Sequence, residues 1–266
     1  MAVLHNVKRM VIKVGTSTLI HPTGKANIRK MRQLVSVISD IVNSGVEVAL
    51  VTSGAIGVGV GKLNLGERPA DTPGRQATAT VGQCELMFMY DKMFAEYGHT
   101  IGQLLITKGD VENEKCRNNL INTFEKLFEY GAVPVINEND SVAVEEIVYG
   151  DNDILSATVA GLIGADALII LTDTDGLYDA NPNEDEEAKL IAVVEEITDE
   201  MYRAAGGNGT KFSTGGMATK LSAARVAMEN GIDTIIMNGE NMDNIYKAMD
   251  GRQVGTFFCG KKRQAI

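Results

Sequence analysis

The sequence predicts an α/β protein whose mostly parallel β-sheet is covered by helices on both faces. Three observations carry that expectation. Short runs of aliphatic and β-branched residues recur almost from end to end, amphipathic helical patterns separate them, and polar or glycine-rich segments follow the runs where strands would end.

Taken in order, MVIKV (10–14) reads as a buried strand. Residues 27–44 then place Ile28, Met31, Leu34, Val35, Ile38, Ile41 and Val42 on one helical face, with Gly45 just past the end. VEVALV (46–51) is the next strand, followed by a glycine-rich loop and a helix over roughly 75–96. Strand TIGQLLIT (100–107), helix 117–130 and strand AVPVI (132–136) continue the rhythm. A helix over about 153–163 leads to strand ALIILT (167–172). The last third adds strand LIAVV (190–194), a short helix near 199–205, helix 216–230, strand TIIMN (234–238), helix 241–249 and strand TFFC (256–259).

Composition narrows the function classes. With 266 residues and 44% hydrophobic content, the chain buries a sizeable core without staples. A net charge of −10 argues against general nucleic-acid binding, and the lack of Trp argues against a stacking platform for single strands. An anionic small substrate requires local positive groups that overcome this field. Cys84, Cys116 and Cys259 are scattered and form no C-x-x-C pair, so neither a disulfide framework nor a zinc site is expected. The N-terminus lacks a signal-peptide pattern, and no apolar run of about 18 residues predicts a membrane span, so a cytoplasmic protein is expected.

In a parallel sheet, ligands sit beyond the carboxyl ends of the strands. The segments at those ends are polar. Lys13 interrupts an apolar strand two residues before Gly15, where backbone N–H groups can approach a phosphate. TSGAIGVGVGKL (52–63) reads either as tight helix–strand packing or as a nest of donors for an anion, with Ser53 added. INENDSV (136–142) crowds Asn137, Asn139 and Asp140 onto one loop, which suits a zwitterion whose ammonium meets Asp140. Asp151, Asn152 and Asp153 open a helix, and N-capping explains only one of them. TDTDGLYDANP (172–182) carries turn signals and fails as a calcium loop. GGNGTKFSTGGMATK (206–220) is glycine-rich but matches neither a Walker loop nor the dinucleotide fingerprint.

Six segments in order, IKVGTSTL, TSGAIGVG, INENDSV, GDNDILSA, LTDTDGLYDANP and TGGMATK, resemble the amino acid kinase family across about residues 8 to 260. The resemblance implies a three-layer αβα sandwich with a central, mostly parallel sheet. It implies one domain over 1–266, with about 1–165 as the amino-acid-binding lobe and about 166–266 as the ATP-binding lobe; many such kinases carry a further C-terminal RNA-binding-like (PUA) domain, and in departing from that pattern this sequence is expected to lack it. INENDSV together with GDNDILSA points to free L-glutamate as the acceptor, phosphorylated on its γ-carboxylate by MgATP, with Mg²⁺ carried by the nucleotide and not by a protein metal site.

Carried over position by position, Lys13 and Lys220 flank the transferred phosphoryl group and Asp153 orients both. Ser53, Gly54, Asn137, Asp140 and Asn152 hold the amino acid. Lys13, Gly15, Thr172, Asp173, Thr214, Gly215, Gly216, Met217, Ala218, Thr219 and Lys220 contact ATP. Lys211 and the rest of 206–213 match no assigned part of the family pattern. The resemblance further implies a homo-oligomer (dimer or tetramer), proline as a feedback inhibitor and a downstream reductase for the acyl phosphate. Kinases of N-acetylglutamate, aspartate, carbamate or uridine monophosphate, and a non-catalytic amino-acid sensor on the same fold, are the alternatives. A nucleoside monophosphate acceptor calls for arginines, which 52–61 and 136–153 lack, and a sensor need not retain both lysines.

Overall fold

The computed structural model describes residues 4, 6–21, 23–142, 152–182, 185, 187–205 and 216–260. The elements along the chain are β1 (Arg9–Val14), α1 (Thr16–Leu19), α2 (Ile28–Asn43), β2 (Glu47–Val51), α3 (Ala55–Leu63), α4 (Thr72–Ala95), β3 (Ile101–Ile106), α5 (Lys108–Glu112), α6 (Glu114–Glu129) and β4 (Val133–Glu138). They continue with α7 (Asn152–Leu162), β5 (Ala167–Thr172), β6 (Val193–Val194), α8 (Asp199–Ala204), α9 (Met217–Glu229), β7 (Asp233–Asn238), α10 (Asn244–Met249) and β8 (Thr256–Phe258). This is the expected α/β architecture, a mostly parallel sheet flanked by helices. Among the described residues no helix is long and apolar enough to cross a membrane.

The chain forms two compact units, Val14–Asn152 and the pair of segments Met1–Lys13 and Asp153–Ile266. In the unit Val14–Asn152, β4 lies between β3 and β2 and is parallel to both, with Leu104 opposite Ile136 and Leu50 opposite Val135. Helices α2, α4 and α6 start where side chains satisfy their first amides. Asn27 Oδ1 accepts from the Lys30 N–H, Asp71 Oδ1 from the Gly74 N–H, and Asn113 Oδ1 from the Cys116 N–H. Buried Met31, Leu34, Val35 and Ile38 form the inner stripe of α2. The α3–α4 packing is closer than ordinary side chains permit: a Cβ on Gly82 would lie 1.8 Å from the Ala55 carbonyl oxygen, and one on Gly59 2.0 Å from that of Thr78. Gly82 thereby sets the depth at which α4 approaches α3.

In the other unit, β5 pairs in parallel with β7 along its whole length, from Ala167 opposite Asp233 to Thr172 opposite Asn238. β8 runs antiparallel to β7 and parallel to β6. All six residues of β5 are buried, as its continuous aliphatic run requires. The Asp166 carboxylate accepts from the backbone N–H groups of Lys8 and Arg9 at 2.7 and 3.0 Å, which fastens the start of β1 to the start of β5.

Several local expectations are corrected. The stretch after β2 is largely helical, because small residues allow α3 to form against α4. The strand expected over 190–194 is confined to Val193–Val194, since Leu190 makes only an isolated bridge to Tyr178. α10 starts at Asn244 and not near 241, because Asn241 Oδ1 accepts from the Asp243 N–H and forms a turn first. The short helices α1 and α5 were not expected. α5 is held by a reciprocal capping box between Thr107 and Asp110.

Candidate active site

Lys13 is the penultimate residue of β1, Asp153 the second residue of α7, and Lys220 lies in the first turn of α9. The fold brings the three together. Lys13 Nζ lies 2.5 Å from Asp153 Oδ1, and Lys220 Nζ donates to Asp153 Oδ2 at 3.1 Å. The Thr219 hydroxyl is shared between Asp153 Oδ2 at 3.0 Å and the Gly216 carbonyl oxygen at 2.7 Å. Asp153 has no exposed surface, while Lys13 and Lys220 are 3% and 5% exposed. Burial pushes the Asp153 carboxyl up, but the Lys13 and Lys220 ammonium groups outweigh it and hold the carboxyl below its ordinary value. Two cations on one anion leave a net positive group in a chain whose overall charge is −10. The Asp153 carboxylate thus accepts from or pairs with Lys13, Lys220 and Thr219.

A second cluster consists of amides and hydroxyls. Asn152, the first residue of α7, directs Nδ2 at the Thr52 carbonyl oxygen (2.8 Å), Ser53 Oγ (2.9 Å) and Asn137 Oδ1 (2.9 Å). Asn137 Oδ1 also accepts from the Glu138 N–H at 2.9 Å, and Asn137 Nδ2 donates to Gln83 Oε1 at 2.8 Å. Beneath them the Thr52 and Tyr90 hydroxyls meet at 2.9 Å, and burial raises the Tyr90 phenol so that it stays protonated. Ser53 leads into Gly54, the N-cap of α3, whose φ of 99° is a left-handed conformation that favours glycine. Asp140 is half-buried in the turn after β4. Burial raises its carboxyl, and the Arg68 charge works in the opposite direction.

At the end of β5, the Thr172 hydroxyl donates to Asp173 Oδ1 at 3.1 Å, and the Thr172 carbonyl oxygen accepts from the Gly239 N–H at 2.8 Å. Next to it, Asn238 at the end of β7 donates from Nδ2 to Asp175 Oδ1 at 2.8 Å. Gly216 is the N-cap of α9, so Met217, Ala218, Thr219 and Lys220 form that helix's first turn. Gly15 is the extended N-cap of α1. Thr214, Gly215, Lys211 and Asp151 lie outside the described residues.

The sequence profile of the Amino acid kinase family matches residues 8–238. The chain belongs to that family. This amino acid kinase is 51% identical over 263 residues to a glutamate 5-kinase of Clostridium perfringens, covering 97% of the chain and 98% of the relative. It is 52% identical over 260 residues to a glutamate 5-kinase of Clostridium acetobutylicum, covering 98% and 97%. Among solved structures, UMP kinase from Bacillus anthracis superposes with a TM-score of 0.65 at 16% identity, over 97% of this chain and 98% of that one. Isopentenyl phosphate kinase from T. acidophilum gives 0.60 at 20% identity, over 94% and 99%. These structural likenesses establish the fold.

Three participants in these clusters escaped sequence reasoning. Gln83 lies mid-helix in α4, away from any strand end, and Tyr90 looks like an ordinary core aromatic one heptad later on the same helix. Arg68 sits in the exposed connection between α3 and α4, away in sequence from the strand ends. Only the folded contacts of this amino acid kinase single them out.

Proposed function

We propose that this amino acid kinase transfers the γ-phosphoryl group of MgATP to the γ-carboxylate of L-glutamate, giving L-glutamate 5-phosphate and ADP, the first step of proline synthesis. The carrying observation is the buried Lys13–Asp153–Lys220 group, two ammonium ions fixed by one carboxylate. The choice of glutamate is supported by relatives about half identical over nearly their whole length and by the amide cluster around Asn152.

A glutamate γ-carboxyl has an ordinary pKa of about 4.3, so it is ionised at neutral pH and needs no general base. Its oxygen forms a bond to the γ-phosphorus while the bond from that phosphorus to the β,γ-bridging oxygen breaks, and ADP takes the electron pair. No proton moves. What remains is to position the reactants and to stabilise charge as it spreads over the phosphoryl oxygens. Lys13 and Lys220 supply that charge, and Asp153 with Thr219 keeps them in place without reorganisation. The first-turn N–H groups of α9 and Thr172 with Asp173 hold the nucleotide. Mg²⁺ carried by the nucleotide would offset part of the phosphate charge.

Ser53, Gly54, Asn137, Asp140 and Asn152 hold glutamate, with the Asp140 carboxylate facing the ammonium group. Proline, sharing the α-carboxylate and a cationic nitrogen, inhibits by competing for these groups. The acyl phosphate product is hydrolytically labile and calls for a reductase that consumes it, and the enzyme works in the cytoplasm as a homo-oligomer.

Hydroxylamine intercepts an acyl phosphate as a hydroxamate, so purified enzyme is assayed with MgATP and a panel of acids. Hydroxamate with glutamate and none with N-acetylglutamate or aspartate is expected. No product from glutamate, or product from N-acetylglutamate instead, would sink the assignment. Millimolar proline is expected to lower the rate, and unchanged turnover would remove proline as an inhibitor.

A further inference from the structure

The amides of the second cluster form a relay whose polarity is set at two backbone groups. The Thr52 carbonyl oxygen can only accept, so the Asn152 atom 2.8 Å away is its Nδ2. The Glu138 N–H can only donate, so the Asn137 atom 2.9 Å from it is its Oδ1. Asn137 Nδ2 therefore faces Gln83, and Gln83 must present Oε1 to it. The ends of the relay are then determined. Gln83 keeps a spare donor, Nε2, and Asn152 a spare acceptor, Oδ1. Both atoms are buried without a hydrogen-bond partner among the described residues, and Gln83 is only 8% exposed. A buried donor and a buried acceptor at the two ends of a fully engaged relay are costly unless a ligand completes them.

We infer that Gln83 is a substrate-binding residue, donating from Nε2 to the α-carboxylate of the amino acid, while Asn152 Oδ1 accepts from its ammonium group. This rests on the placement of glutamate at Ser53, Asn137 and Asn152. The α-carboxylate fits the donor better than the γ-carboxylate does. Its charge is unchanged by phosphoryl transfer, so a neutral amide donor can bind it without withdrawing electrons from the attacking oxygen. The signature is therefore a change in KM for glutamate with kcat nearly constant.

The test separates direct contact from support of Asn137. Gln83→Glu keeps an oxygen for Asn137 Nδ2 but replaces the donor with a carboxylate that repels the substrate's. KM for glutamate is expected to rise roughly 10- to 100-fold at pH 8.5, the loss of one hydrogen bond to a charged group, with KM for ATP unchanged. Burial raises the pKa of the new carboxyl, and its protonated form donates again, so the defect should shrink as pH is lowered towards 6 while wild type stays flat. Isoglutamine carries an α-carboxamide and an intact γ-carboxylate. The preference for glutamate over isoglutamine should fall at least about tenfold in Gln83→Glu, because the carboxamide N–H can donate to the new carboxylate. Gln83→Met, which lacks both polar atoms, should raise KM for glutamate without the pH rescue. If Gln83→Glu keeps the wild-type KM and preference, or if its defect ignores pH and falls equally on both substrates, Gln83 only supports Asn137 and the inference fails. Should Gln83→Glu not fold, an unchanged KM in Gln83→Met overturns it equally. Wild-type enzyme inactive on glutamate would instead defeat the functional reading beneath it.

Discussion

Lys13 Nζ lies 2.5 Å from Asp153 Oδ1, and their side chains are 4% and 0% exposed. A lysine inside an aliphatic strand is tolerated there because a buried carboxylate meets it, and the same carboxylate holds Lys220.

Asp153→Asn replaces the carboxylate that the two lysines share with a neutral amide. Loss of a buried ionic partner costs about 3–5 kcal/mol, so the urea midpoint at pH 7 should fall well below wild type. The sign with pH follows from the lowered carboxyl. Its stabilisation is complete above the unfolded value of about 3.9 and is lost as pH falls through the lower folded value. The gap between wild type and Asp153→Asn should therefore close only in strong acid. A gap that is constant down to pH 3 would show that charge pairing is not its origin.

Lys220→Met keeps the apolar stem of the side chain and removes the ammonium group. By comparison with single donors to developing negative charge, kcat should fall by about 10²–10³. Circular dichroism should show a folded protein. A variant that retains the wild-type rate would exclude Lys220 from the chemistry.

Asp140 titrates above its ordinary range because it is half-buried, and Arg68 counters that effect. Arg68→Ala should raise the carboxyl further and move the acidic limb of kcat/KM for glutamate to higher pH, with the displacement shrinking as salt is added. Because the folded value exceeds the unfolded one, ionised Asp140 costs stability at neutral pH. Asp140→Asn should thus be more stable than wild type at pH 7, lose that advantage below about pH 3.9, and bind glutamate poorly. Equal stability of the two proteins at every pH would contradict the burial argument.

Gly82→Ala places a methyl group 1.8 Å from the Ala55 carbonyl oxygen, so α4 must back away from α3. Overpacking of this kind costs about 1–3 kcal/mol, measurable by urea unfolding. Since Gln83 follows directly, KM for glutamate should rise as well. Gly109→Ala is the control, because its nearest neighbour would be Thr107 Oγ1 at 3.8 Å. Equal effects of the two substitutions would discount the close packing.

Most of the architecture was legible because buried parallel strands and amphipathic helices impose short-range patterns. ALIILT forms β5 over the very residues expected, 167–172, and the stripe from Met31 to Ile41 faces inward. Legibility failed where a distant partner decides. Gly57, Gly59 and Gly61 read as part of a loop, yet they lie in α3, which packs against α4 where Gly82 offers no side chain. LIAVV has strand composition, but β8 pairs with only its last two residues.

For the candidate site, the sequence by itself marked the segments in which chemistry was expected, since polar residues directly after aliphatic strands stand out from turn and cap requirements, and the family resemblance assigned roles within them. It singled out Lys13, Asp153 and Lys220, and Ser53, Asn137 and Asn152. Tertiary structure decided how these residues share atoms: that one carboxylate serves two lysines, that the Asn152 amide reads Thr52, Ser53 and Asn137 together, and that Gln83 ends the relay with a spare donor. Residue type and spacing report local conformation. Hydrogen-bond polarity and charge balance depend on atoms brought within about 3 Å by the fold, and no local pattern encodes them.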